Sequence, residues 1–248
     1  MNRITSIIFT IFLNLWGAII PIIYFPAFIF RSAKIADHGA KIWAIGVMWM
    51  LKKLCQIDYE FIGLENLPKE PFIIACKHQS AWETIIMHLI VNRPAYAFKK
   101  ELLKIPFYGW YLRVMSGIIV DRSGGASALK ALIKQTKNYL AKGQSIVLFP
   151  QGTRVPVRVE SDKFPYQAGI AALYLSTGAK VVPAALNSGI FWGRGTPKKP
   201  GRITLEFLEP INPGLSKQEF MAKLESVIEE KSNELVEKTR HCYTKSHL

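Results

Sequence analysis

Residues 77–83 read Lys-His-Gln-Ser-Ala-Trp-Glu and follow directly on an apolar run, Phe72 to Cys76. A run of that length, bounded by polar residues, predicts a buried strand. His78 therefore stands just past a strand end, with the carboxylate of Glu83 five residues on. In one continuous helix that spacing would put the two on different faces, so a turn has to intervene. With His78 in the loop and Gln79 or Ser80 near a helix start, Glu83 falls in the first turn and reaches back to the imidazole. Such a pair is a base and its orienter: the carboxylate holds one ring nitrogen, fixes the tautomer, and leaves the other nitrogen to take a proton. The same residues admit a plainer reading, a solvated loop histidine and a helix-start acid that suits the dipole. Ser80 reads as a cap rather than a nucleophile, and no Gly-x-Ser-x-Gly elbow occurs. Cys76 reads as a buried inert thiol; a Cys-His pair is the alternative, and it requires the strand to continue through His78.

The elements that must position these residues are those of an α/β domain. Strand-length apolar runs recur at Phe72–Cys76, Ser145–Phe149, Lys180–Leu186 and Ile203–Leu208, separated by helical patterns. A helix over Ala126–Lys142 sets Leu129, Leu132, Ile133 and Leu140 on one face and stops at Gly143; another over Ala168–Thr177 stops at Gly178. The last long pattern, Lys217–Arg240, carries Phe220, Leu224, Val227, Ile228 and Leu235 on one stripe and is expected to cover the sheet.

Three later stretches bear on the chemistry. Lys99-Lys100-Glu101-Leu102 leads through Ile105–Trp110 to Gly-Ile-Ile-Val-Asp-Arg (117–122); residues 149–154 read Phe-Pro-Gln-Gly-Thr-Arg; residues 181–187 read Val-Val-Pro-Ala-Ala-Leu-Asn. In order and spacing after a histidine-carboxylate motif, these resemble the glycerolipid acyltransferase family, specifically the bacterial 1-acylglycerol-3-phosphate acyltransferases, over roughly Tyr59 to Pro213. The resemblance implies a single acyltransferase domain, α/β with a mostly parallel central sheet flanked by helices. It implies transfer of an acyl chain from an acyl thioester to the free hydroxyl of lysophosphatidic acid, giving phosphatidic acid. His78 matches the family's catalytic histidine, with Glu83 where the family usually has aspartate. Gly152, Thr153 and Arg154 match its Glu-Gly-Thr-Arg motif, whose arginine holds the acceptor phosphate with a bidentate fork. Gln151 replaces the usual glutamate, which leaves that pocket more positive. Lys99, Lys100 and Arg122 are further candidates for the phosphate, with solvated surface charge as the alternative. Val182 and Pro183 match the last block, which shapes the acyl or thioester site or is plain core. The departures at Glu83 and Gln151 keep a second acceptor open, another lysophospholipid or an aminolipid. Acyl carrier protein or coenzyme A thioester enters as substrate; no bound cofactor and no metal are implied.

The N-terminus adds a membrane. No charge occurs from Ile4 to Phe30, and 27 helical residues would run about 40 Å, more than a bilayer core of about 30 Å. Pro21 and Pro26 predict a kink or break, giving a tilted span with a bent end or a re-entrant hairpin; a cleaved signal peptide is the competing reading. Arg31, Lys34 and Lys41 follow while only Arg3 precedes, which places the downstream chain on the cytoplasmic face of the inner membrane. Lys41–Leu54, with Trp43, Trp49 and Lys52-Lys53, reads as an interfacial helix or a core helix of the following domain. Residues 1–55 are thus expected to anchor and 56–248 to catalyse, with Arg31–Lys41 as hinge.

Bulk properties limit the alternatives. The chain has 248 residues, half of them hydrophobic, which is not a disordered composition. Its 32 basic and 18 acidic residues leave a net charge of +14, which favours an anionic partner. Nucleic acid would satisfy the charge, but no recognition motif is present and the apolar N-terminus is foreign to it. Three cysteines without a CxxC pair predict neither a disulfide framework nor a zinc site, and His38, His88, His241 and His247 show no ligand spacing with one another.

Overall fold

The computed structural model describes residues 3–105, 108–115, 117–120, 125–157, 163–195 and 197–245. The fold is α/β, with seven mostly parallel strands among the described residues and helices flanking them. The chain divides into two compact units, Met1–Gln56 with Thr84–Val147, and Ile57–Glu83 with Leu148–Leu248.

In the second unit, β1 (Ile57–Ile62) runs parallel to β7 (Gly201–Phe207), from Ile57 opposite Gly201 to Ile62 opposite Glu206. Strand β7 is antiparallel to β6 (Val181–Leu186), and β6 is parallel to β2 (Ile73–Cys76). Every residue of β2 and β6 is buried, which is why both read as continuous apolar runs rather than as alternation. Helix α9 (Lys217–Lys245) lies against β6 and buries Phe220, Leu224, Ile228 and Leu235, with Val227 half-buried at the edge of the stripe. Helix α7 (Ala168–Thr177) ends at Gly178, whose φ of 64° is the left-handed cap expected there. Its Tyr174 ring stacks on Phe220 at 3.9 Å and joins α7 to α9.

In the first unit, α1 (Arg3–Ile23) runs on through Pro21 and breaks at Tyr24; α2 (Phe25–Ile29) is one short turn beyond it. Helix α3 (Ala33–Cys55) starts at once after Ser32, whose Oγ accepts from Ile35 N. The hinge expected over Arg31–Lys41 is therefore confined to the residues before Ala33. A serine cap precedes the segment and no proline lies within it, so its charges sit on a helix instead of a linker. Helices α1 and α3 pack on each other as a hairpin. Trp16 Nε1 donates to Trp43 O at 3.1 Å, and Gly46 makes room for the indole: a Cβ there would lie 2.4 Å from Nε1. Ala36, Ala40 and Ala44 are buried along α3, small residues at helical spacing that permit close approach. Among the described residues α1 is the one helix long and apolar enough to cross a membrane. Its outward side chains, Ile4, Ile7, Ile11, Leu15 and Ile22 among them, are exposed. On α3, Ile45 and Trp49 are exposed while Val47, Met48 and Leu51 are buried, so the Lys41–Leu54 segment is half core and half open surface.

The same unit holds β3 (Ala95–Lys99), parallel to both β4 (Gly117–Val120) and β5 (Ile146–Leu148). After α5 (Tyr108–Val114), helix α6 (Gly125–Ala141) is followed by Gly143 at φ 76° and is tied to β4 by Tyr139, whose hydroxyl bonds both the N–H and the carbonyl of Gly117. Of its expected stripe only Leu132 is buried.

Candidate active site

Strand β2 ends at Cys76, and the chain enters a loop whose first residues are fixed by nonlocal bonds. Lys77 N donates to Ala184 O, prolonging the pairing with β6, and the nearly buried Lys77 ammonium pairs with Glu229 of α9. Tyr166 donates to the same Glu229 oxygen; burial, with Glu229 beside it, pushes the phenol well above its ordinary range. His78 follows, its ring stacked on Phe149 at 4.1 Å. Helix α4 (Trp82–Ile90) opens with Ser80 Oγ accepting from Trp82 N, so Ser80 is a cap as expected.

Glu83 lies in the first turn of α4 and is wholly buried. Its Oε1 stands 2.8 Å from His78 Nδ1 and accepts from the backbone N–H groups of Gln79 and Ser80, each at 2.6 Å. Its Oε2 accepts from Ser188 Oγ at 2.9 Å. A buried carboxylate is tolerable only when its lone pairs are filled; here the turn that brings it back to His78 serves Oε1, and Ser188 serves Oε2. Because Glu83 takes Nδ1, Nε2 is the ring nitrogen left for another partner; the His78 side chain is 15% exposed.

The turn Phe149–Gly152 is closed by Gly152 N donating to Phe149 O, with Pro150 at its second position and Gly152 at φ 64°. It reaches the histidine through one main-chain bond, Val155 N to His78 O at 2.7 Å. Arg154 is half-buried, and its guanidinium has no partner among the described residues. Thr153 Oγ1 accepts from Arg194 Nη2 at 3.1 Å. Gln151 does not face a pocket: it is buried, and its Nε2 donates to Phe164 O at 3.0 Å. The extra positive balance expected from its replacing glutamate is thus a buried amide bonded to a carbonyl.

Val182 and Pro183 lie inside β6, opposite Ile74 and Ala75, both buried. They hold β2 in register from within the sheet. Lys99 closes β3 and Lys100 opens the 3-10 turn Lys100–Lys104, in the other unit; Arg122 falls outside the described residues. Cys76 is wholly buried, its Sγ donates to Lys77 O, and desolvation raises the thiol well above its ordinary range, which is the inert arrangement.

The fold and these loops have known counterparts. A sequence model described as Acyltransferase matches residues 58–187, more than half of the chain and both motif loops. The chain belongs to the Acyltransferase family. It is 40% identical over 162 residues to a 1-acyl-sn-glycerol-3-phosphate acyltransferase of Pseudomonas aeruginosa, over 65% of this chain and 62% of that protein. A 1-acyl-sn-glycerol-3-phosphate acyltransferase of Limnanthes alba is 27% identical over 204 residues, 79% of this chain and 68% of the relative. The crystal structure of the 1-acyl-sn-glycerophosphate (LPA) acyltransferase PlsC from Thermotoga maritima matches with a TM-score of 0.74 at 25% identity, covering 95% of this chain and 99% of that one. Within this Acyltransferase chain, Phe149 was legible as part of its motif but without a role, and sequence reading missed Val155, Ser188 and Arg194. Each acts across a long stretch of chain, and no local pattern marks it.

Proposed function

We propose that the protein transfers an acyl chain from an acyl thioester to the free hydroxyl of 1-acylglycerol-3-phosphate, giving phosphatidic acid. The observation that carries this reading is the His78–Glu83 pair, 2.8 Å apart, in a loop joined by a backbone bond to the turn that bears Arg154. His78 is the general base: Nε2 takes the hydroxyl proton as the oxygen attacks the thioester carbonyl, the thiolate leaves, and the imidazolium returns the proton to it. Glu83 holds Nδ1 and balances the positive charge that the ring carries meanwhile. Arg154 presents a planar fork to the acceptor's phosphate, with Thr153 beside it and Gly152 giving the turn its left-handed residue. The names of the Pseudomonas and Limnanthes relatives and of the Thermotoga structure support this acceptor.

The hairpin of α1 and α3 belongs in lipid by the same proposal. The exposed apolar side chains of α1 would meet acyl chains, and Lys52 and Lys53 at the end of α3 would meet headgroups on the cytoplasmic face. The test is acyl transfer by the purified protein in mixed micelles, with coenzyme A and acyl carrier protein thioesters each offered to lysophosphatidate, lysophosphatidylglycerol and lysophosphatidylethanolamine of equal chain length. The expected result is a higher kcat/KM for lysophosphatidate. Equal turnover of all three acceptors would instead favour a general lysophospholipid acyltransferase.

A further inference from the structure

Past β6 the chain makes a single helical turn, α8 (Ser188–Phe191), and that turn is built against the catalytic loop. Ser188 has no exposed surface, and its hydroxyl donates to Glu83 Oε2 across 105 residues of sequence. Gly189 N donates to Gln79 Oε1 at 3.0 Å. The approach depends on the glycine: a Cβ on Gly189 would lie 2.7 Å from Val157 Cγ2 and 3.0 Å from Gln79 Cβ.

The donors to Glu83 are unevenly shared. Three of them, Gln79 N, Ser80 N and His78 Nδ1, converge on Oε1, while Oε2 has Ser188 alone among the described residues. Holding Oε1 leaves the second oxygen able to swing about it, and a swing tilts the lone pairs that face Nδ1. A glutamate also reaches farther than an aspartate by one C–C bond, about 1.5 Å. From this backbone position an aspartate could satisfy the loop donors or Ser188, but not both.

We infer that Ser188 is the positioning residue of the catalytic pair: it fixes the plane of the Glu83 carboxylate and, through it, the His78 ring, and it is the partner that a glutamate at position 83 requires. This rests on the acyltransferase reading above. Ser188 has no surface to offer a substrate, so its effect is expected on the chemical step rather than on binding of either substrate.

The experiment is a double-mutant cycle between Ser188→Ala and Glu83→Asp in the full-length protein, read as kcat and KM for each substrate. Ser188→Ala is expected to lower kcat about tenfold with both KM values within about twofold of wild type. In the Glu83→Asp background the same change is expected to cost less than about twofold, because the shorter acid does not reach Ser188. Ser188→Cys, nearly equal in volume and a poor donor, should repeat the alanine result and carries the test if the alanine variant does not fold. Equal losses in both backgrounds, or a loss confined to KM, would overturn the inference. Wild type is assayed first: failure to acylate lysophosphatidate strikes the proposed acceptor, and the cycle then runs on whichever lysolipid it turns over. The 15N resonances of the His78 ring give a readout that needs no substrate: Ser188→Ala should move Nδ1 in the Glu83 background only, and an unmoved signal there would also overturn the inference.

Discussion

The backbone N–H of Val155 donates to the carbonyl oxygen of His78 at 2.7 Å, so the loop that carries the imidazole and the loop that carries Arg154 are held by main chain, which no side-chain substitution removes. The two motif loops can therefore be dissected one side chain at a time. His78→Ala should abolish acyl transfer and also lower the thermal midpoint, since the ring stacked on Phe149 and one partner of the buried Glu83 carboxylate are lost together. Glu83→Gln is the sharper test. Its amide oxygen can still accept from Gln79 and Ser80, and its NH2 can donate to Ser188, so the loop keeps its bonds while the charge facing Nδ1 disappears. Charge-assisted hydrogen bonds exceed neutral ones by roughly 1 to 1.5 kcal/mol. A tenfold or greater fall in kcat with little change in acceptor KM is expected, and an unaltered kcat would remove Glu83 from the mechanism.

Gln151 gives a stability prediction that runs against the family's usual residue. Its Nε2 donates to the Phe164 carbonyl from a buried position. A carboxylate in its place would set an acceptor against an acceptor, and a buried group left unsatisfied costs roughly 1 to 3 kcal/mol. Gln151→Glu is thus expected to lower the thermal midpoint at neutral pH and to recover part of it on acidification, where a protonated acid can donate again. A midpoint equal to wild type at neutral pH would show that the Phe164 contact contributes nothing.

What the sequence made legible follows the reach of each interaction. The strands β2, β5 and β6 stood out because burial on both faces demands unbroken apolar runs, and β7 because Ile203, Leu205 and Phe207 alternate along it. Strand β1 was missed because Asp58 and Glu60 interrupt it, and β3 and β4 because β3 ends in Lys99 and β4 precedes Arg122, residues that drew attention as charges. The His78–Glu83 contact was legible because a turn of five residues builds it locally. Ser188, which completes the same carboxylate from 105 residues away, leaves no mark in any local pattern. Gln151 shows the opposite failure: its position in a motif was clear, yet only the fold decides that its amide turns inward.

His88 provides a pH dependence. It is buried against Tyr96, its Nδ1 has no partner among the described residues, and burial followed by the charge of Lys41 lowers its pKa to about 4. The unfolded chain takes up this proton near the ordinary value of about 6.5, the folded chain only near 4. The contribution to stability is therefore complete above about pH 6.5 and is lost as the pH falls through that window, by about 3 kcal/mol in all at 1.36 kcal/mol per unit. His88→Leu should flatten this part of the stability curve, since it removes the titration and the orphaned ring nitrogen together. Thermal midpoints of both proteins in detergent between pH 4 and 7 check it; parallel curves would assign the acid sensitivity to other groups.

Arg154 is expected to separate the acceptors. The terminal phosphate of a lysophosphatidate carries close to two negative charges, and a planar guanidinium with no other described partner can meet two of its oxygens at once. If the forked contact as a whole is worth what a single hydrogen bond to a charged group is, about 1.5 to 3 kcal/mol, Arg154→Ala should raise the KM for lysophosphatidate roughly tenfold to a hundredfold at 1.4 kcal/mol per decade. The donor's KM should hardly change, because the thioester carries no phosphate at the reacting carbonyl. A phosphodiester such as lysophosphatidylglycerol offers a single charge and a bulky substituent, and the same substitution should cost it several-fold less. Measuring kcat/KM for both acceptors in wild type and in Arg154→Ala therefore gives the coupling between the guanidinium and the second phosphate charge. A penalty of equal size on the two acceptors, or one confined to the donor, would remove Arg154 from the phosphate while leaving the base chemistry of His78 intact.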